Sequence, residues 1–122
     1  MSDINYSVSM NVSKGNLSSA VNASGITATM NLDGMQGATY TLSGTPTNIS
    51  TSTLSVVGLA FLRNLSTATA TTCSVGIVSG GSMVPFASPR PGETAILRLA
   101  SGVSYQATGT SGVRLRVDVT EG

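Results

Sequence analysis

Strict alternation governs the start of this chain. Ile4, Tyr6, Val8, Met10 and Val12 are apolar, while Asn5, Ser7, Ser9 and Asn11 between them are small and polar. A period of two sends successive side chains to opposite faces of a β-strand, whereas a helix would scatter them around its surface. The segment therefore predicts a strand with one buried face. A polar start already patterned as a strand also predicts that no secretory leader precedes it.

The same reading extends along the chain. Ser13 to Gly25 is Ser/Asn-rich and holds Leu17, Ala20 and Val21, so it is a long connection or a weak strand. Ile26, Ala28, Met30 and Leu32 alternate with polar residues and predict a second strand, ended by Asp33-Gly34. Ala38, Tyr40 and Leu42 give a third, stopped at Ser43-Gly44-Thr45-Pro46, and the Thr/Ser stretch that follows to Thr53 reads as exposed loop. Leu54 to Leu65 shows no alternation, which predicts a strand buried on both faces, or one with one face on the core and the other on a subunit. Further strands are expected over Thr72 to Val78, Met83 to Phe86, Thr94 to Leu99 and Val103 to Ala107. The last runs from Val113 to Val119, with Val113, Leu115, Val117 and Val119 inward and Arg114, Arg116 and Asp118 outward. Ser79-Gly80-Gly81-Ser82 predicts a hairpin, Pro85 an edge or bulge, and Pro91-Gly92 the centre of a type II turn. Eight or nine short strands without a helical segment predict an all-β fold, an antiparallel two-sheet sandwich of jelly-roll-like type, as a single domain over residues 1–122.

Composition then narrows the function. Charged residues are 9% of the chain, against roughly 25% in ordinary soluble domains. A surface so poor in charge predicts a chain that rests against neighbours, so other copies of itself are expected partners, in a trimer or another assembly. Net charge is +1, and the six cations form no run and do not interleave with aromatics; nucleic acid is not an expected partner. The longest apolar stretch, Val56 to Leu62, is too short to cross a membrane as a helix. Cys73 is the single cysteine, so no intrachain disulfide is possible, synthesis in a reducing cytoplasm is expected, and the residue reads as a small core hydrophobe.

Chemistry-bearing clusters are missing. There is no His, so a serine or cysteine nucleophile lacks its usual base. Asp3 and Glu121 read as frayed-terminus residues and Asp33 as a turn acid. Glu93 and Asp118 form the one conceivable glycosidase pair, though a turn acid plus an arginine counter-ion explains them more simply. No catalytic residue, metal ligand or cofactor is expected, and the chain is read as a non-enzyme. Six Asn-x-Ser triplets begin at Asn5, Asn11, Asn16, Asn22, Asn48 and Asn64; those of the first strand follow from its polar face rather than from glycosylation. Arg98, Arg114 and Arg116 admit two readings, an intramolecular ladder in which Arg98 pairs with Glu93 or Asp118, or a subunit contact.

From Gly80 onward a particular order appears. It runs Gly80-Gly81-Ser82-Met83-Val84-Pro85-Phe86, Pro91-Gly92-Glu93, Ile96-Leu97-Arg98-Leu99, Tyr105-Gln106-Ala107, then the alternating Val113 to Val119. This last third resembles the small β-sandwich virion proteins of tailed bacteriophages, of decoration (cement) or minor capsid type. The resemblance implies a non-enzymatic structural role in the virion after synthesis in the bacterial host cytoplasm. It also implies contact with another virion protein, such as a major capsid protein. A receptor- or glycan-binding module of a phage tail or fibre is the alternative. The expected interface comprises Ile4, Tyr6, Val8 and Met10 of the first strand, Val57, Leu59 and Phe61 of the apolar run, and Arg98, Arg114 and Arg116. The first strand is expected either to pair with Val113 to Val119 inside the domain or to join a neighbour's sheet at an intersubunit seam.

Overall fold

The structure is a computed structural model that describes residues 3–30 and 32–122. It is all-β: ten strands and no helix among those residues, every pairing antiparallel. The chain divides into two compact units, Met1–Asn31 and Leu32–Gly122.

The first unit is a two-stranded hairpin of β1 (Ile4–Lys14) and β2 (Leu17–Ala28). Lys14 pairs with Leu17, which leaves Gly15-Asn16 as a two-residue loop with Gly15 at φ 58°. Glycine at the first central position is what a type II′ hairpin turn requires. Tyr6 pairs with Ile26 but Val8 pairs with Ala23, so β2 carries one extra residue at Ser24-Gly25. Gly25 sits at φ 63° and its N–H donates to Ser7 Oγ at 3.4 Å. This bulge has a sequence consequence. Leu17, Val21 and Ala23 are odd-numbered while Ile26 and Ala28 are even, and the inserted residue returns both sets to one face. Asp3 closes the open end: its N–H donates to Ala28 O at 3.0 Å, and its Oδ2 accepts the Met30 N–H at 2.8 Å.

The expectation that β1 pairs with Val113 to Val119 is therefore corrected. A local two-residue turn brings β2 alongside at the least loop entropy, and the last strand has other partners on both sides. The segment left open between long connection and weak strand is the major part of β2, while Met30 and Leu32 lie beyond its end.

The second unit has two four-stranded sheets. One has the order β3 (Met35–Thr41), β10 (Arg114–Glu121), β5 (Val57–Asn64), β8 (Thr94–Arg98). The other has the order β4 (Thr47–Ile49), β9 (Tyr105–Gly109), β6 (Cys73–Ser79), β7 (Ser82–Ala87). Within these eight strands the first pairs with the last, β4 with β9, β5 with β8 and β6 with β7. That is the pairing of one long hairpin folded over on itself, and β10–β5 and β9–β6 contacts lock it. Gly80-Gly81 forms the expected two-residue turn between β6 and β7.

One hydrophobic core takes side chains from both sheets: Leu62, Leu115, Val117 and Val119 from the first, and Val75 and Ala107 from the second. Cys73 lies in the same core, and burial pushes its thiol pKa up. A thiol-alkylating reagent is accordingly expected to label Cys73 far more slowly in the native protein than in denaturant, and mass spectrometry of the alkylated protein checks this. The expected inward set of the last strand, Val113, Leu115, Val117 and Val119, is buried. β4 falls in the expected loop; it is three residues long with one buried apolar side chain, Ile49, so it presents no periodicity to see.

Two buried polar residues tie the loops to the sheets. Glu121 is only 5% exposed, and its carboxylate accepts the Ser55 and Val56 N–H groups at 2.8 and 3.0 Å. Its reading as a frayed-terminus residue is thus corrected, because β10 continues through it and its own N–H donates to Gly34 O. Asn64 is 0% exposed; its Nδ2 donates to Pro89 O at 3.0 Å and its Oδ1 accepts the Ser66 N–H at 3.0 Å. A side chain so enclosed is no glycan acceptor in the folded chain. Asn64→Ala takes away the partner of a part-buried carbonyl and of a part-buried N–H, so we expect about 1–3 kcal/mol of lost stability in urea titration.

Candidate functional site

Two surfaces contain all but one of the interface residues singled out by sequence. The first is one face of the hairpin. The register places Ile4, Tyr6, Val8, Met10 and Val12 of β1 on the same side as Leu17, Val21, Ala23, Ile26 and Ala28 of β2. The opposite side is almost entirely Asn, Ser and Thr. Ile4, Tyr6, Val12, Ile26 and Ala28 are half-buried, but Val8 is 47% exposed, Met10 56%, Leu17 58% and Val21 56%. A hairpin gains most of its stability by packing one face on something, and two strands alone are marginal in water. This hairpin has the face and leaves its outer half uncovered.

The second surface is the outer side of the β3-β10-β5-β8 sheet. Arg116 stands opposite Arg63, Asp118 opposite Phe61, Phe61 opposite Ile96 and Leu59 opposite Arg98, with Arg114 two residues before Arg116 on the same face. Leu59, Phe61, Arg98, Arg114 and Arg116 are thereby brought together. Val57 is not with them. Between Val119/Ala60 and Glu121/Val57 the register slips by a residue, and this bulge turns Val57 toward the core. Leu59 shares the side of Arg98 by register but is only 7% exposed, so it lies beneath that surface, and its N–H donates to Thr120 Oγ1 at 3.1 Å.

Sequence reading missed Arg63 and Ile96. In an apolar run without alternation the face of each residue is undefined until a partner strand fixes the register, so no local signal marked them. The expected pairing of Arg98 with Glu93 or Asp118 is also corrected. Asp118 is taken by Arg116, whose Nε and Nη2 donate to its two carboxylate oxygens at 3.0 and 2.7 Å. That hydrogen-bonded pair raises the Arg116 pKa above its ordinary value, with the Asp118 charge adding to it. The carboxylate lies beside it along the same strand face, closer than any acid lies to Arg98. Glu93 closes its own turn, accepting the Arg90 N–H at 2.7 Å around Pro91-Gly92, so the two acids of the conceivable glycosidase pair are each committed elsewhere.

The remaining depression of interest is a small apolar groove of about 190 Å³ where Phe86 and Tyr105 meet Ile77 and Leu97. The two rings stand edge to face, 6.5 Å between centroids. The Tyr105 hydroxyl donates to Ala100 O at 2.6 Å, and Arg98 is the charged residue on the rim. Among the described residues no group of His, Cys, Asp and Glu side chains has the arrangement of a metal site. Among the same residues no helix is long and apolar enough to cross a membrane. Comparison of the chain with protein families, with curated proteins and with solved structures gives no match in any of the three.

Proposed function

We propose that this protein is a non-enzymatic virion structural protein, a capsid decoration or minor head protein of a tailed bacteriophage. Its partners are further copies of itself and another virion protein such as the major capsid protein. The observation that carries the reading is the hairpin: a dedicated pair of strands, contributing no side chain to the core of the eight-stranded unit, with Val8, Met10, Leu17 and Val21 exposed. A segment like that is an aggregation hazard in a solitary protein and an attachment device in an assembled one. The strand pairings support the finer fold assignment. Eight strands paired first to last, in two four-stranded sheets sharing one core, are the connectivity of a jelly-roll sandwich made of two Greek keys. That architecture suits a part built to be tiled.

The glycan-binding alternative has less behind it. Its best candidate, the Phe86–Tyr105 groove, offers an aromatic edge, but the Tyr105 hydroxyl is spent on Ala100 and sugar recognition needs several convergent polar groups. Co-sedimentation with purified phage heads tests the proposal. Saturable binding at a fixed number of copies per capsomer is expected. Retention on a glycan array with no affinity for heads would replace it with the alternative.

A further inference from the structure

The outer side of the β3-β10-β5-β8 sheet is unbalanced in charge. Four of the chain's six cations stand there, Arg63, Arg98, Arg114 and Arg116, against a single carboxylate, Asp118. Arg116 consumes that carboxylate in the one ion pair among the described residues. The acids on neighbouring elements are engaged as well: Glu93 on the Arg90 N–H and Glu121 on the Ser55 and Val56 N–H groups. Arg63 and Arg116 moreover sit directly across from each other on paired strands. Like charges at opposed positions destabilise a sheet, so the fold tolerates a local conflict here that a Thr or Gln in place of Arg63 removes. Conflicts of this kind concentrate where a surface serves something other than stability.

We propose that this face docks an acidic protein surface whose carboxylates meet Arg63, Arg98 and Arg114 while an apolar or aromatic side chain enters between them. The inference stands on the sheet face alone and is independent of the hairpin and of the virion reading. Guanidinium groups present parallel donors that match carboxylates two to two. Half-buried Phe61 and Ile96 lie among them, which gives the face an apolar centre with a charged margin, the anatomy of a protein–protein contact. A nucleic-acid backbone offers anions without a partner for that centre, and a chain of net charge +1 lacks the field that drives phosphate binding.

Fluorescence anisotropy at low ionic strength tests this with three labelled probes: poly-L-glutamate, a random copolymer of glutamate and tyrosine, and a short DNA duplex. Both polypeptides bind, the copolymer about threefold or more tighter because its rings reach Phe61 and Ile96. Arg63→Gln with Arg114→Gln weakens both by roughly tenfold or more, each charge-assisted contact carrying a large share. Ile96→Ser removes only the advantage of the copolymer. Lys14→Gln with Arg90→Gln, which changes the cations outside the face, leaves affinities within about twofold, as screened distant charges should. Thermal melts of the same variants keep folding in view: Arg63→Gln leaves the midpoint unchanged or raises it. The proposal is overturned by absent polypeptide binding, by equal sensitivity to the two double variants, or by an Ile96→Ser protein that still prefers the copolymer. Duplex binding as tight as the copolymer's, through the same arginines, overturns it in favour of nucleic acid. A marked fall in midpoint for Arg63→Gln makes that residue structural and overturns its docking role.

Discussion

Met10→Ser combined with Val21→Ser is expected to weaken the proposed self-association strongly while leaving the eight-stranded unit folded. The two side chains are cross-strand partners in the exposed half of the hairpin. In a monomer their loss changes little, since surface substitutions of this kind stay within about 0.5 kcal/mol. In an assembly they are covered, and each exchange of a large apolar side chain for serine forfeits about 1.5–3 kcal/mol of burial. The pair then weakens association by roughly a hundredfold or more. Sedimentation velocity across a concentration series reads the first effect and the urea midpoint reads the second. Removal of residues 1–31 gives the same pattern more completely, because the core of the second unit draws on Leu42 onward and on no hairpin residue. Loss of the cooperative melt on that truncation would make the hairpin part of the core and take the attachment reading with it.

What the sequence revealed, and where it stopped, follows from the range of the forces involved. Alternation is a local consequence of the pleat, so the inward valines of β10 and the apolar set of β1 were legible residue by residue. Turns are local too, and Gly80-Gly81 and Pro91-Gly92 lie where their backbone chemistry puts them. The hairpin itself was hidden by its bulge. Ser24-Gly25 shifts the apolar positions of β2 from odd to even numbers, and a reading based on a fixed period divides the strand there. Gly15-Asn16 was the available signal for the turn, and it lay inside a segment whose polar composition masked it.

The arginine face was out of reach for a different reason. Its members come from β5, β8 and β10, joined only by the register of long-range pairs, and the bulge near Gly58 decides that Leu59 falls in the row of Arg98 while Val57 turns to the core. Buried polar residues behave likewise. Asn64 and Glu121 look like ordinary surface residues until the loops they hold are seen to lie over them. Short strands such as β4 carry too few side chains to declare a period, and tertiary pairing with β9 alone defines it.

A pair of identical substitutions distinguishes the two units most sharply. Leu115 lies in β10 between Tyr40 of β3 and Asn64 of β5, and it is completely buried. Leu115→Ala removes three heavy atoms from the middle of the shared core, where β10 is held by a strand on either side and cannot collapse into the gap. The expected cost is about 3–5 kcal/mol, transfer and cavity terms together. A domain of this size has about 5–13 kcal/mol in total, so the urea midpoint falls by about a quarter or more with little change in slope. Leu17→Ala makes the same chemical change at the turn end of the hairpin, where the side chain is mostly in water. It shifts the midpoint of the eight-stranded unit by less than about 0.5 kcal/mol and acts on self-association instead. Equal losses of stability at the two positions would mean that the hairpin face is packed in the monomer, and would remove the exposed apolar surface from which the assembly role is argued.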